Sequence, residues 1–268
     1  MSGEDQYISS TQNPKIKRLL ALQEKSSERR KSGLFVVEGR RELQHCIEAG
    51  YEIESIFKSA SAADAADADF IVSPHVYERI AYRGSTEGVV AIVRAKPHTL
   101  EDLLPSLTGG VGGGSLFIIL ESVEKPGNLG AVLRSADAAG ATAVIVCDPL
   151  TDLYNPNLIR ASIGACFTVP TVACSSEDCI RFLKAHGVQI LTAQLQDSHL
   201  YYDTDMTGPT AIVMGTESTG LTDQWRQAAD AHIRIPMLGR LDSLNVSVSA
   251  AILLFEAVRQ RENMVLST

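Results

Sequence analysis

Short apolar segments recur through the second half of the sequence, and stretches with helical character separate them. The predicted strands are Phe117–Leu120, Ala143–Cys147, Phe167–Val172, Gln189–Ala193, Ala211–Met214 and His232–Ile235, and the predicted helices lie near 128–139, 155–163, 176–186, 222–230 and 245–260. Near-continuous apolar strands that alternate with helices indicate a mostly parallel sheet covered on both faces. We therefore predict an α/β fold whose ligands bind beyond the carboxyl ends of its strands.

A glycine-rich segment divides the sequence into two parts. Five glycines occupy the six positions from 109 to 114, a composition typical of a flexible linker. A strand follows it, whereas a dinucleotide-binding loop would be followed by a helix. We expect a small α/β domain over 1–108, a linker over 109–115 and a larger domain over 116–268. The elements predicted for the small domain are helices near 14–31, 39–49 and 74–82 and strands at Leu34–Val37, Ile53–Lys58, Phe70–Ser73 and Val89–Arg94.

Basic residues are concentrated near the start of an acidic chain. The net charge of the protein is -8, which taken alone argues against binding to nucleic acid. Between positions 15 and 41, however, nine Lys or Arg residues stand against three Glu residues. This segment is compatible with a local contact to phosphate groups or with an ordinary solvated helix face, and charge alone favours the second.

The cysteines and histidines follow no recognisable metal-binding pattern. The five cysteines lack Cys-x-x-Cys spacing, and the six histidines lack the His-Glu-x-x-His pattern. Cys174 and Cys179 flank the sequence SSED, which we interpret as a turn. We therefore expect no metal and no disulfide framework.

The sequence contains no segment that predicts membrane insertion or secretion. No apolar run approaches the ~20 residues that a membrane span requires. The first twenty residues lack the apolar core of a secretory signal. A cytoplasmic protein is the expectation.

The segment EKPGNLGAVLRSADAAG, residues 124 to 140, follows the first strand of the larger domain. Asn128 is predicted to cap the next helix, and Gly140 is predicted to end it. Arg134 is the single basic residue in this otherwise small and apolar helix. Near a helix N-terminus an arginine suits an anion, but this segment taken alone favours the simpler interpretation that Arg134 pairs with a surface carboxylate.

Two further loops combine glycine with polar side chains at predicted strand ends. In MGTESTGL, residues 214 to 221, Gly215 and Gly220 permit tight turns around Glu217. In the segment from 235 to 258, Ser243, Asn245 and Ser247 crowd the start of a helix. That helix is apolar nearly all round, so it is buried either in its own domain or against a second subunit.

At these three loops the sequence resembles the SpoU/TrmH family of RNA ribose 2′-O-methyltransferases. The matching motifs are PGNLGAVLRSADAAG, IVMGTESTGL and IPMLGRLDSLNVSVSAA, and DPLTDLYNPNLIRASIGACFTVP is similar to the stretch between the first two. The likeness covers residues 116 to 260. More loosely, residues 8 to 96 resemble the small RNA-binding domain, similar to ribosomal protein L30e, that often precedes this catalytic domain.

The resemblance implies an RNA methyltransferase with a deep C-terminal trefoil knot, working as a homodimer without a metal. S-adenosylmethionine would be the methyl donor, and the RNA, ribosomal rather than transfer RNA, would be the substrate. Residues carried over from the family motifs as catalytic are Asn128, Arg134, Glu217, Ser243 and Asn245. Those carried over or adjacent at the cofactor site are Ala193, Met214, Gly215, Ile235, Met237 and Leu244. The residues expected to contact RNA are Lys15, Lys17, Arg18, Arg29, Arg30 and Arg40.

Two questions stay open at the level of sequence. In the family the arginine of the first motif is proposed as the proton acceptor, but a guanidinium does not ordinarily deprotonate in proteins. Arg134 could instead hold an RNA phosphate or polarise the ribose hydroxyl. The rival functions are transfer-RNA methylation, base methylation, a non-catalytic RNA-binding protein on the same fold, and a nucleotide-dependent oxidoreductase, which the sequence disfavours because it has no Gly-x-Gly-x-x-Gly after a strand.

Overall fold

The computed structural model describes residues 6–62, 64, 67–82, 87–107, 114–216, 219–240 and 242–266. Positions 109–113 of the predicted linker and the predicted catalytic residue Glu217 lie outside the described residues. The chain packs as two compact units: Met1–Lys96 with Asp152–Thr168, and Pro97–Thr151 with Val169–Thr268. Residues 152 to 168 therefore pack with the first unit, although we expected them in the larger domain. The domain boundaries themselves stay a prediction.

The first unit is built on a mixed sheet. Its elements before residue 97 are β1 (Tyr7–Ile8), α1 (Pro14–Glu24), α2 (Ser26–Ser32), β2 (Leu34–Glu38), α3 (Arg40–Glu48), β3 (Ile53–Ser59), β4 (Phe70–Val72), α4 (Pro74–Ile80) and β5 (Val89–Arg94). The strand order is β1-β4-β3-β5-β2, and β5 runs antiparallel to both of its neighbours. The single helix predicted near 14–31 is wrong, because extended backbone at Lys25 separates α1 from α2.

The second unit contains a wholly parallel sheet. From residue 97 onward the elements are a 3-10 turn (Glu101–Ser106), β6 (Leu116–Glu121), α5 (Pro126–Ala138), β7 (Ala143–Cys147), α6 (Pro156–Ser162), α7 (Ala165–Thr168), β8 (Thr171–Cys174), α8 (Ser176–Ala185), β9 (Gln189–Ala193), β10 (His199–Leu200), a 3-10 turn (Tyr201–Asp203), β11 (Thr210–Met214), α9 (Asp223–Ala228), β12 (Ala231–Arg234) and α10 (Val246–Leu266). Helices α6 and α7 pack with the first unit. The seven strands lie in the order β10-β12-β9-β11-β6-β7-β8, and every residue of β6, β7 and β11 is buried. The predicted parallel α/β architecture is confirmed.

One predicted strand is placed wrongly. We expected a strand at 167–172, but residues Ala165–Thr168 form α7 and the strand is Thr171–Cys174. Left-handed backbone at Ile163 (φ 55°) and Gly164 (φ 83°) ends α6 and turns the chain into a second short helix. Pairing with β7 begins only after Pro170, whose carbonyl accepts a hydrogen bond from Val144.

The two helices that frame the candidate site pack against each other. Helix α10 contacts α5 and β11, and it buries Ala250, Leu253, Leu254 and Ala257 on that side. Gly140 ends α5 with φ +61°, as predicted. No helix among the described residues is long and apolar enough to cross a membrane. The trefoil knot stays a prediction.

Candidate active site

Two clefts flank the carboxyl end of β11. The first, about 140 Å³, lies beyond β11 and its neighbour β6; we call it the asparagine cleft, and its lining includes Ser122, Lys125, Asn128, Gly215, Thr216 and Val246. The second, about 150 Å³, lies beyond β9, β11 and β12; we call it the apolar cleft, and its lining includes Ala193, Met214, Ile235, Met237, Ser243 and Leu244. Both lie at the edge where the sequence predicts ligand binding.

Asn245 contacts Asn128, which lines the asparagine cleft. The side-chain amide of Asn245 donates a 3.2 Å hydrogen bond to the side-chain oxygen of Asn128. The side-chain oxygen of Asn245 also accepts from the backbone N–H of Ser247 at 2.9 Å, so Asn245 caps α10 as its sequence context predicts. The first and third motifs are thus joined directly by a side-chain contact.

The prediction that Asn128 caps α5 is wrong. The helix begins two residues earlier, with Lys125 at the cap position and Pro126 at the first helical position. Proline suits that position because its missing N–H would have no intrahelical partner there. Asn128 therefore lies within the first turn, and its side chain faces the cleft rather than the helix end.

Arg134 is exposed on α5. No hydrogen bond or ion pair joins its guanidinium to any residue within the described ranges, so the pairing with a surface carboxylate is not found there. A guanidinium that no acid neutralises keeps its five donors for an anion or an oxygen of a ligand. The exposure of Arg134 fits a role in binding better than a role in holding the fold.

The loop after β11 requires glycine at position 215. A Cβ atom there would lie 2.2 Å from the backbone carbon of Gly220 and 2.4 Å from the backbone nitrogen of Leu221. Gly220 itself has φ +69° and open space around the position of a Cβ atom. The backbone N–H of Gly220 donates to the carbonyl of Thr216 at 3.0 Å. The glycines of this motif thus form a tight turn that brings backbone to the cleft.

Glu121 anchors the same loop, and sequence reasoning missed it. It ends β6 and is buried, and its carboxylate accepts from the backbone N–H of Thr222 at 2.9 Å and from its hydroxyl at 2.7 Å. A carboxylate at the end of an otherwise apolar strand was the available signal. Glu121 also lines the asparagine cleft. It therefore connects the wall of this cleft to the loop that Thr222 ends.

The residues predicted for the cofactor are divided between the two clefts. Five of them, Ala193, Met214, Ile235, Met237 and Leu244, line the apolar cleft together with the predicted catalytic residue Ser243. Gly215 lines the asparagine cleft. Gln194 and Asp242 add an amide and a carboxylate to the apolar cleft, and we had not predicted either. Apolar walls with a few polar groups are the usual composition of a small-molecule site.

The six basic residues predicted to contact RNA differ in their availability. Arg29 is only 5% exposed, and it donates to Asp152 at 2.6 Å and to the carbonyl of Leu22 at 2.6 Å. Its donors are therefore engaged inside the first unit. Arg18 pairs with Glu54 at 2.7 Å.

Arg40 is also held by an acidic partner. Its guanidinium lies 2.6 Å from Asp64 and, together with Lys58, holds the pKa of that carboxyl well below its usual range. The side chains of Lys15, Lys17 and Arg30 are exposed and form no ion pair with any described residue, although Lys15 lies over the ring of Phe70.

The sequence of this chain matches two known protein families, one over each part of the chain. Residues 115–255 match the SpoU rRNA Methylase family, a span that contains both asparagines and both clefts. This chain belongs to the SpoU rRNA methylase family. Residues 13–91 match the MRM3-like substrate binding domain, which confirms the small domain found by resemblance.

Proteins similar to this SpoU family member include named methyltransferases and solved structures. The 23S rRNA (guanosine-2′-O-)-methyltransferase RlmB of Yersinia pestis is 41% identical over 179 residues, which cover 66% of this chain and 72% of that protein. A crystal structure of an RNA 2′-O ribose methyltransferase superposes with a TM-score of 0.82 at 39% identity, over 96% of this chain and 99% of the other. The AdoMet-bound rRNA methyltransferase of Sinorhizobium meliloti gives a TM-score of 0.84 at 30% identity, over 94% and 97%.

Proposed function

We propose that this protein transfers a methyl group from S-adenosylmethionine to the ribose 2′-hydroxyl of a guanosine in 23S ribosomal RNA. The observation that carries the proposal is the contact between Asn128 and Asn245 beside a cleft lined by five predicted cofactor residues. The name of the Yersinia relative supports the substrate, and the AdoMet-bound Sinorhizobium structure supports the donor. A cytoplasmic location follows from a ribosomal RNA substrate.

The apolar cleft fits S-adenosylmethionine in chemical character. Met214, Ile235 and Leu244 offer apolar surface to an adenine ring. The carboxylate of Asp242 lines the same cleft, and a negative charge there favours a cationic ligand. When bound, the cofactor supplies a methyl group on a positively charged sulfur.

Residues of this chain orient the ribose and assist the loss of the proton from its 2′-hydroxyl. Asn128 and Asn245 bind the ribose through amide groups that already fix each other's orientation, which lowers the cost of aligning the 2′-oxygen with the methyl group. Arg134 binds the adjacent phosphate or donates to the 2′-oxygen. The hydroxyl proton leaves to water or to another group, because a guanidinium does not ordinarily act as a proton acceptor in proteins. Glu217 and Ser243 complete the proposed set.

A homodimer is part of the proposal. One face of α10 remains uncovered in the single chain: Val248 is 47% exposed and Phe255 is 48% exposed. These residues are seven positions apart, so they share one side of the helix, with Ala251 and Ile252 partly exposed between them. A second copy of the chain would remove this apolar stripe from water.

RNA binding by the first unit completes the proposal. Lys15, Lys17 and Arg30 are the residues we assign to phosphate contact, because their charged groups are exposed and no described acid neutralises them. Arg18 and Arg40 would first have to leave their acidic partners, and Arg29 is left out because it is buried. The proposed reaction itself uses no metal, since displacement at a sulfonium needs none.

Transfer of labelled methyl groups tests the proposed function. The protein is incubated with labelled S-adenosylmethionine and with 23S ribosomal RNA or transfer RNA that lacks modifications, and the RNA is then hydrolysed in alkali. Label in alkali-resistant dinucleotides of 23S RNA is expected, because a methylated 2′-oxygen cannot assist cleavage. Label on a base would contradict ribose transfer, and label in transfer RNA alone would contradict the substrate. Cofactor binding without transfer to either RNA would contradict the catalytic proposal.

A further inference from the structure

Three cysteines that are far apart in the sequence converge in the second unit. The Sγ atoms of Cys147, Cys174 and Cys179 all lie within 4.8 Å of one another. Cys147 and Cys174 are the last residues of β7 and β8 and stand opposite each other in the parallel register. Cys179 comes from α8, which follows β8 directly. The sequence gives no sign of this cluster, because the register between β7 and β8 creates it.

Hydrogen bonds hold the segment that carries Cys174 and Cys179. We had expected the SSED sequence to form a turn, but it forms the start of α8. The side-chain oxygen of Ser175 accepts from the backbone N–H of Asp178 at 3.1 Å. The hydroxyl of Ser176 donates to Asp148 at 2.6 Å and accepts from the indole N–H of Trp225 at 3.0 Å. The thiols are therefore presented by a fixed backbone, as a metal site requires.

The cluster is closed on one side and accessible on the other. Cys147 and Cys179 are fully buried, whereas Cys174 is partly exposed. Cys174 also lines a surface cleft of about 540 Å³, together with His98, Asp178 and Arg181. An ion could enter from this cleft and reach the two buried sulfurs through Cys174.

Packing alone is the simplest alternative, because free cysteines often behave as small apolar residues. Packing alone, however, does not require three sulfurs to converge as these do. Three thiolates around one ion with metal–sulfur bonds near 2.3 Å lie roughly 4 Å apart. A small rotation of the side chains would bring the observed set to that spacing.

We propose that Cys147, Cys174 and Cys179 form a binding site for one soft metal ion, Zn²⁺ or Cu⁺. Thiolates select these ions over hard ions such as Mg²⁺. Each thiol that binds releases its proton to solvent, so full ligation releases three protons for each ion. Cu⁺ is satisfied by three sulfurs, whereas Zn²⁺ takes a water molecule as a fourth ligand from the cleft. None of the three cysteines lines either cleft at β11, and the metal site does not depend on the proposed methyl transfer.

Metal titration of the full chain tests this site. The protein is reduced, freed of metal and titrated with Cd²⁺ as a spectroscopic substitute for Zn²⁺, and separately with Zn²⁺ and Cu⁺ against chromophoric chelators. One equivalent of Cd²⁺ is expected to produce thiolate-to-metal absorption and to release protons into a weakly buffered solution. Competition against the chelators then decides between the two natural ions. The proposal would be overturned if Cd²⁺ produced no thiolate-to-metal absorption. It would also be overturned if the affinity for each ion were no higher than that of isolated histidines on a protein surface.

Cysteine variants locate the binding. Cys174→Ser should weaken binding by more than about 100-fold, because even the loss of an outer partner of a metal ligand costs roughly 10–100-fold. Cys46→Ser and Cys166→Ser are matched controls in the first unit and should bind as the parent does. Because Cys174 is partly exposed, its serine variant should fold, which circular dichroism checks. Unchanged binding by a folded Cys174→Ser protein would place the ion elsewhere and exclude the site.

Discussion

Asn245 donates a side-chain hydrogen bond to Asn128 across a sequence separation of 117 residues. The same Asn245 side chain caps α10 through its oxygen, so its two ends have different tasks. The N–H group of its side chain orients Asn128, and the side-chain oxygen caps the helix that packs on α5. The candidate site and the C-terminal helix are therefore coupled through one residue, and substitutions can separate the two tasks.

Asn245→Asp should separate catalysis from stability. Aspartate retains an oxygen that caps α10, but it has no N–H to donate to Asn128, so we expect near-normal stability and a methyl transfer rate lower by about 100-fold. Asn245→Ala should lose both functions, with a cap cost of about 1 kcal/mol. Thermal melts and single-turnover methyl transfer measure the two effects. An active Asn245→Asp protein would show that the donated hydrogen bond is dispensable.

Arg134→Ala should reduce turnover without affecting the fold. The guanidinium is exposed and has no partner within the described ranges, so the free energy of unfolding should change by less than about 0.5 kcal/mol. Loss of a group that acts on the 2′-hydroxyl or its phosphate should lower the rate by roughly 100-fold or more. Arg134→Lys is the matched variant, since it keeps the charge but loses the fork of donors. Near-normal turnover of the alanine variant would exclude a catalytic role.

Gly215→Ala and Gly220→Ala should differ sharply. The first places a Cβ atom 2.2 Å from backbone, so the loop must move and cofactor binding should weaken by at least about tenfold. The second meets open space but keeps φ at +69°, a strain of about 1 kcal/mol that should appear in the melting temperature alone. Calorimetric titration with S-adenosylmethionine, beside a thermal melt, measures both. Equal cofactor affinities in the two variants would contradict the tight-turn interpretation.

Charge reversal at Lys17 and Arg30 should weaken RNA binding and its salt dependence. Each lost phosphate contact reduces the slope of log affinity against log salt by about one. Lys184→Glu, an exposed reversal in the second unit, is the control with the same change of charge. Filter binding over a range of salt concentrations gives the slopes. A fall in affinity of equal size for the control would indicate net charge rather than a specific surface.

Phe255→Glu should convert the proposed homodimer into a monomer. A carboxylate on the uncovered side of α10 would have to be buried without a partner in the interface, which costs several kcal/mol. Leu150→Glu is the control, since Leu150 is 64% exposed and lies outside α10. Light scattering after size-exclusion chromatography gives the mass of each protein. A monomeric parent protein would contradict the homodimer itself.

The sequence predicts the parallel sheet well because each buried strand has a local signal. The bounds of β7 and β9 are as predicted, and Gly140 ends α5 because only a glycine adopts that left-handed conformation without strain. Clustering of Asn128 and Asn245 at one sheet edge also followed from the position of their loops after the strands.

Other features depend on long-range packing and could not be predicted. Asn128 was expected as a cap because asparagine is a favoured capping residue, but Pro126 takes the first helical position and the helix begins there. The strand expected at 167–172 failed because the left-handed turn at Ile163 has no recognisable local signal. The convergence of Cys147 with Cys174 requires the β7–β8 register, which no single segment encodes.

Packing of residues 152–168 with the first unit limits how this protein can be divided. Phe35 of β2 stacks on Tyr154 at 4.5 Å and contacts Phe167 at 5.9 Å, and Ile159 belongs to the same core. A fragment that stops at residue 108 would lose these partners and present Phe35 to water. Chimeras that exchange the first unit between family members must therefore transplant two separate stretches of sequence, one of which lies within the methylase domain.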